Sequence, residues 1–104
     1  MKPIAVDWDG TLVDHPPNIP IEEVFTYGPQ EMAPKVLNYL VKQGLEFYVL
    51  TSRPRSEHRR IRKWLRDNGF PKMKVTNVKT ESRLYIDDRG YRFTDWLDIG
   101  KLLQ

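Results

Sequence analysis

The strongest constraint on how this chain can fold is the way its short apolar runs end. Ile4-Ala5-Val6 stops abruptly at Asp7-Trp8-Asp9-Gly10-Thr11, and Phe47-Tyr48-Val49-Leu50 stops at Thr51-Ser52-Arg53-Pro54. Leu84-Tyr85-Ile86 stops at Asp87-Asp88-Arg89-Gly90. Short apolar runs closed by turn-forming residues suit strands buried in a parallel sheet. Met73 to Thr76 supplies another such strand.

Between these runs the apolar period changes to that of a helix. Pro34 fits a first helical turn, Val36, Leu37, Leu40 and Val41 form one stripe, and Gly44 ends it. Ser56 is expected to cap a second helix, with Glu57 in its first turn and Ile61, Trp64, Leu65 and His58 facing inward. Asn68-Gly69 ends that helix. Phe93, Trp96 and Leu97 fit a short last one. The alternation predicts an α/β fold, a three-layer Rossmann-like arrangement with helices on both faces of a central parallel sheet. Residues 1–104 are expected to form one domain. Within it, residues 11–30 form a loop region rich in proline (Pro16, Pro17, Pro20, Pro29), with Val24 and Phe25 as one arm of a small hairpin.

Composition removes several function classes. The chain has no cysteine, so disulfides and thiolate metal sites are excluded. No apolar run approaches the ~18 residues of a membrane span. Asp7 follows only three apolar residues, so no signal peptide is expected and the cytoplasm is the expected location. The net charge of +3 favours anionic partners weakly. Much of it sits between Arg53 and Arg66, where Glu57 is the only acid. By default such a run is the wet face of an amphipathic helix. His15 and His58 lack metal-ligand spacing, and Trp64 reads as core.

Ligands of open parallel sheets bind beyond the carboxyl ends of the strands. Asp7/Asp9, Thr51/Ser52 and Asp87/Asp88 all lie at such ends. Four carboxylates gathered there repel one another unless a cation sits among them. Oxygen donors without histidine or cysteine select a hard ion, Mg2+ before Ca2+. Mg2+ leaves room for substrate phosphate, so the set points to phosphoryl transfer. Asp7, at the strand tip, is placed to attack phosphorus and form an aspartyl phosphate. Asp9 can give a proton to the leaving oxygen and later take one from water. Thr51 can donate a hydrogen bond to the phosphoryl oxygens, and a lysine would neutralise their charge.

Asp7-Trp8-Asp9-Gly10-Thr11-Leu12-Val13 resembles the first motif of the haloacid dehalogenase (HAD) superfamily, D-x-D-G-T-L-V. Thr51-Ser52-Arg53 resembles its second motif and Tyr85-Ile86-Asp87-Asp88 its fourth, so the likeness covers essentially the whole chain. The resemblance implies a small capless phosphatase with Mg2+ held by Asp7, the backbone carbonyl of Asp9, and Asp88, while Asp87 acts through water or orients its neighbour. Asp9 resembles the second acid of the phosphatase branch. Trp8 is bulkier than the usual Phe or Tyr. The third-motif lysine is one of Lys72, Lys74 and Lys79; Lys79 is preferred because small capless members carry it in the loop before the fourth strand. Ser52 and Arg53 are expected to bind substrate, Arg53 by gripping a second anionic group. An open site suits a large substrate or closure by another subunit, with Ile21, Phe25 and Tyr27 as a mobile flap.

Three readings compete. The first is a phosphomonoester hydrolase of small phosphorylated metabolites or nucleotides. The second is a nucleic-acid end (3'-) phosphatase, since Asp87-Asp88-Arg89 followed by Trp96 resembles the phosphatase half of phage-type polynucleotide kinases. The third is a non-enzymatic phospho-signalling module, although receiver domains carry an acidic pair near the first strand and the phosphoacceptor later, whereas here D-x-D comes first. The lysine assignment is checked by turnover: Lys79→Ala is expected to lose far more activity than Lys74→Ala, and equal losses or the reverse order would overturn it.

Overall fold

The structure is a computed structural model that describes residues 2–79, 82, 84–87, 91–92 and 96–103. Its elements run β1 (Ile4–Val6), α1 (Ile21–Val24), α2 (Ala33–Lys42), β2 (Phe47–Leu50), α3 (Arg55–Asp67), β3 (Lys74–Thr76), β4 (Leu84–Asp87), β5 (Tyr91–Arg92) and α4 (Trp96–Leu103). The sheet order is β3-β2-β1-β4-β5, with every pairing parallel. Four strands form the body of the sheet, and two-residue β5 adds an edge that the sequence pattern did not suggest. The mixed α/β layout with a parallel sheet is compatible with a Rossmann-like arrangement. From β1 the chain winds outward through β2 to β3, then returns to place β4 on the other side of β1. The switch point therefore lies between β1 and β4, where such sheets open a crevice.

Strand alternation sorts the side chains into two sets. Ile4, Val6, Phe47, Val49, Val75 and Ile86 join one core with Val36, Leu37 and Leu40 of α2, Ile61, Trp64 and Leu65 of α3, and Trp96 and Ile99 of α4. Each fully buried aliphatic side chain there contributes roughly 1.5–3 kcal/mol. Ala5, Tyr48, Leu50 and Tyr85 point the opposite way. The three long helices thus share one face, and among the described residues no helix covers the other. Residues 77–83 join β3 to β4, whereas a parallel crossover that carries a helix needs a dozen or more residues. Ser82 of this link meets the face opposite the helices, where its Oγ and the Tyr48 hydroxyl lie 2.6 Å apart, and Ala5 and Tyr48 on that face are buried.

Helix ends show which local signals were read correctly. Gly44 (φ 94°) and Gly69 (φ 80°) take the left-handed conformation just past α2 and α3. Leu45 N–H then donates to Leu40 O and Gly44 N–H to Val41 O; Phe70 and Gly69 repeat the pattern on Leu65 and Arg66. That double closure satisfies carbonyls a helix end would otherwise leave open. At the start of α3, however, Pro54 rather than Ser56 is the boundary residue, and no side chain caps the helix. The fixed φ of Pro54 (−66°) ends the extended segment two residues before Ser56.

The 11–30 region also differs from expectation. Val24 lies in α1 rather than in a hairpin arm, and Phe25 is its C-terminal boundary. Pairing occurs instead at the base of the loop, where Asp14 N–H donates to Gly28 O and Gln30 N–H to Leu12 O. α3 ties the loop down. Trp64 Nε1 donates to Tyr27 O at 3.0 Å, and Arg60 forks onto both Glu22 oxygens at 2.9 Å while lying 4.2 Å from the Phe25 ring centre. Hydrogen bonding to Arg60, and then its charge, hold the Glu22 carboxyl below its ordinary value. A carboxyl depressed in the folded state stabilises fully above its unfolded pKa, and that contribution fades as pH falls through the folded value. Both groups are well exposed, so the effect is small and weakens with salt.

Among the described residues no helix is long and apolar enough to cross a membrane. The Trp64 ring stands edge-on to Trp8 at 5.6 Å and lies 5.5 Å from Phe70. Trp64→Phe keeps most of that packing but strands the Tyr27 carbonyl, at an expected cost of about 1–3 kcal/mol. Trp64→Ala also empties the ring's volume and is expected to cost about 3–5 kcal/mol. Urea midpoints at unchanged slope measure both, and equal costs would show that the ring packing contributes nothing.

Candidate functional site

β1 and β4 run side by side in register, Val6 opposite Ile86. One residue further, Asp7 follows β1 and Asp87 ends β4, and Asp7 N–H donates to Ile86 O at 3.0 Å. Strands spaced about 4.8 Å apart therefore carry two carboxylates next to each other on one sheet face. A cavity of about 590 Å3 opens there, lined by Asp7 and Asp87 with Thr51, Ser52, Asn77 and Lys79. Its floor is the sheet face opposite the helices, formed by Ala5, Leu50 and Tyr85. The mouth lies at the carboxyl ends of β1, β2, β3 and β4, which is where the sequence pattern gathered its polar clusters.

Each side chain is placed by its strand end. Asp7 Oδ1 accepts the N–H of Trp8 at 2.8 Å, which fixes the carboxylate at the start of the turn. Thr51 is buried; its N–H donates to Thr76 O, and its Oγ1 accepts Arg53 N–H at 3.1 Å. The hydroxyl thus closes the local turn and keeps its own hydrogen to donate. Lys79 Nζ lies 4.5 Å from the centre of the Tyr85 ring. Of the three candidate lysines, Lys79 is the one that lines this cavity; Lys72 and Lys74 line depressions elsewhere.

Asp9 is placed differently from Asp7. Arg53 forks onto it, Nε to Oδ2 at 2.9 Å and Nη2 to Oδ1 at 2.7 Å, and His15 Nε2 lies 2.9 Å from Oδ1. Neither Asp9 nor Arg53 lines the cavity. Arg53, expected to grip a second anionic group of the substrate, meets Asp9 in this structure. Its guanidinium also lies 5.7 Å from the Trp8 ring centre, and its carbonyl accepts a hydrogen bond from His58 Nε2 at 2.9 Å. A carbonyl can only accept, so the His58 proton sits on Nε2. Between the two acids, the Trp8 ring is fully buried and its indole N–H has no partner among the described residues.

Asp88, the third expected metal ligand, lies outside the described residues, as does Arg89. Among the described residues no three acidic or histidine side chains converge as a metal cluster. The chemistry of the donors present still fits Mg2+: adjoining carboxylates from Asp7 and Asp87, oxygen groups beside them, and one lysine against two acids.

The sequence reading missed three participants. Tyr85 stands two residues before Asp87 on the same strand, so period-two alternation alone puts it on the cavity face. Asn77 directly follows β3 and shared the strand-end signal of the other polar residues. His15 carried no signal, because its contact with Asp9 depends on the path of a proline-rich loop. No protein-family model matches the chain, and no curated protein or solved structure matches it either.

The Asp9–Arg53 pair is about one quarter exposed on each side, enough burial for the fork to count. A double-mutant cycle of Asp9→Ala and Arg53→Ala is expected to give a coupling of about 1–2 kcal/mol in urea unfolding. Additive losses would show that the pair is not coupled in solution.

Proposed function

We propose that this protein is a Mg2+-dependent phosphomonoester hydrolase of the HAD type, capless, with Asp7 as its covalent nucleophile. One observation carries the reading: Asp7 and Asp87 end adjoining parallel strands in register at the sheet's switch point, in one cavity with Thr51 and Lys79. Two carboxylates against one lysine make the cavity a poor site for a bare phosphate and a good one for a divalent cation with its phosphate ester. Asp7 and Asp87 would hold Mg2+, joined by the Asp9 carbonyl and Asp88 as the resemblance implies. When bound, the ion would polarise the phosphoryl oxygens and offset their charge.

The chain's own residues then divide the work. A carboxylate oxygen of Asp7 bonds to phosphorus as the ester P–O bond breaks, and the leaving oxygen takes a proton from Asp9. Asp9 next removes a proton from water, whose oxygen attacks phosphorus, and the Asp7–phosphorus bond breaks to release phosphate. Thr51 and Lys79 donate to the phosphoryl oxygens and gain most when charge spreads over them. In the described conformation Asp9 is held by Arg53 and His15, so it must exchange the arginine fork for the leaving oxygen. An arriving anionic ester gives Arg53 a competing partner, which links substrate binding to release of the proton carrier. The cavity chemistry asks only for a phosphate monoester, which a small metabolite, a nucleotide or a nucleic-acid end can supply.

The test is a panel of phosphate esters with and without Mg2+. Wild type is expected to release phosphate only with the metal, and Asp7→Asn to lose roughly three orders of magnitude or more in turnover at an unchanged unfolding midpoint. Wild-type turnover by Asp7→Asn would end this reading.

A further inference from the structure

The exposed side of α3 is divided by sign and by partner. On one flank, Arg60 pairs with Glu22 and Glu57, and Lys63 pairs with Asp67. On the other, Arg55, Arg59, Arg62 and Arg66 recur at steps of four, three and four, one stripe on a helix. All four are exposed, and none has an ion-pair partner among the described residues. Like charges at this spacing repel each other. A face serving only solvation mixes both signs, as the Arg60–Lys63 flank does.

The exposed stripe also borders a groove. Arg55, Arg59 and Arg62 line a depression of about 410 Å3 against β3, with Lys74 on its opposite wall. Arg62 continues into a second depression of about 560 Å3 with Arg66 and Lys72. No acidic residue lines either one. Glu46 shares a separate depression with Lys72 and Lys74. The first depression also reaches Asn77, which lines the Asp7 cavity as well. One basic track therefore runs from Arg66 to Arg55 and joins the candidate active site at Asn77. The arginine row alone spans about 16 Å at the helical rise.

We infer that this track binds the sugar-phosphate backbone of a single nucleic-acid strand and leads its terminal phosphate toward Asp7. The inference deepens the phosphatase reading by naming its substrate class, and it rests on that reading for what happens to the terminal phosphate. A row of cations without acids matches a chain bearing one negative charge per residue. Arginine forks suit phosphate oxygens. The aromatic residue in the track, Phe70, is buried, so bases find no exposed ring to stack on and recognition is independent of sequence. A duplex end would have to fray to deliver its phosphate into the cavity.

Binding is measured with wild-type protein and a labelled single-stranded oligonucleotide that ends in hydroxyl groups, so no turnover is involved. Fluorescence anisotropy across a salt series is expected to give a log Kd slope of roughly 2–3, the release of counterions from three or four phosphates. Arg59→Glu with Arg62→Glu is expected to weaken binding at least tenfold and to flatten the slope by about 1.4. Lys74→Glu, on the opposite wall and outside the helix, should weaken binding in the same direction. Hydrolysis of a small phosphate ester should be unchanged in all of these variants. Salt-independent binding, or variants that bind like wild type, would overturn the track. Equal binding of a blunt duplex, or equal competition by inorganic polyphosphate at matched phosphate, would overturn the single strand as its occupant. Oligonucleotide binding without release of an end phosphate would count against the phosphatase reading alone, and small-ester hydrolysis without oligonucleotide binding against the track alone.

Discussion

The parallel pairing of β1 with β4 underlies everything else in this molecule. β1 is three residues long and buried, and it is hydrogen-bonded on both edges, to β2 and to β4. A one-residue slip against β4 would move Asp87 away from Asp7 and turn the core residues of one strand toward the cavity. The Asp7 N–H bond to Ile86 O is the last rung of that ladder, and it sits where pairing gives way to the turn. Burial of Ile4, Val6 and Ile86 under the helices fixes the register, and the register sets the two carboxylates side by side.

The loop that follows Asp7 is held by groups from distant parts of the chain. Trp96 Nε1 donates to Thr11 O, Trp64 Nε1 to Tyr27 O, and Gln30 Nε2 to Gly10 O. Each bond satisfies a carbonyl in an irregular segment, where regular secondary structure offers no partner. The aromatic group of Trp8, Phe25, Trp64 and Phe70 packs behind them. Asp9 is thereby presented to Arg53 and His15 by a turn with little freedom to wander. Rigidity at Asp7 beside an exchangeable clamp on Asp9 suits a reaction in which one acid forms a bond and the other moves a proton.

Much of this was legible in the chain because the deciding signals are local. The apolar run at Ile4–Val6 matches its strand to the residue, and Gly44 and Gly69 close their helices as expected. Strand ends rich in polar residues pointed to the crevice. The failures arise where two local signals competed or where distance decided. Ser56 is a good cap by type, yet Pro54 comes first and sets the boundary. Val24 suits a strand, but Pro20 and the acidic pair Glu22 and Glu23 favour a helical turn. The shortness of the 77–83 link between β3 and β4 could have been counted from the strand signals. The His15 contact could not, because nothing within six residues of sequence dictates how a proline-rich loop returns. Asp88 lies outside the described residues, so its part in the cluster stands on the resemblance.

The cavity-side face of the sheet separates two demands that most small folds must meet with the same side chains. Alternate residues of β1, β2 and β4 go to opposite destinations: Val6, Val49 and Ile86 to the helices, and Ala5, Leu50 and Tyr85 to the floor of the cavity. The ladder's peptide groups are already bonded to each other, so that floor speaks to a ligand through side chains alone. Exchanges at Leu50 or Tyr85 can reshape what the floor accepts while the packed side stays intact. Selectivity and folding are written on alternate letters of the same strands, which leaves each free to drift without erasing the other.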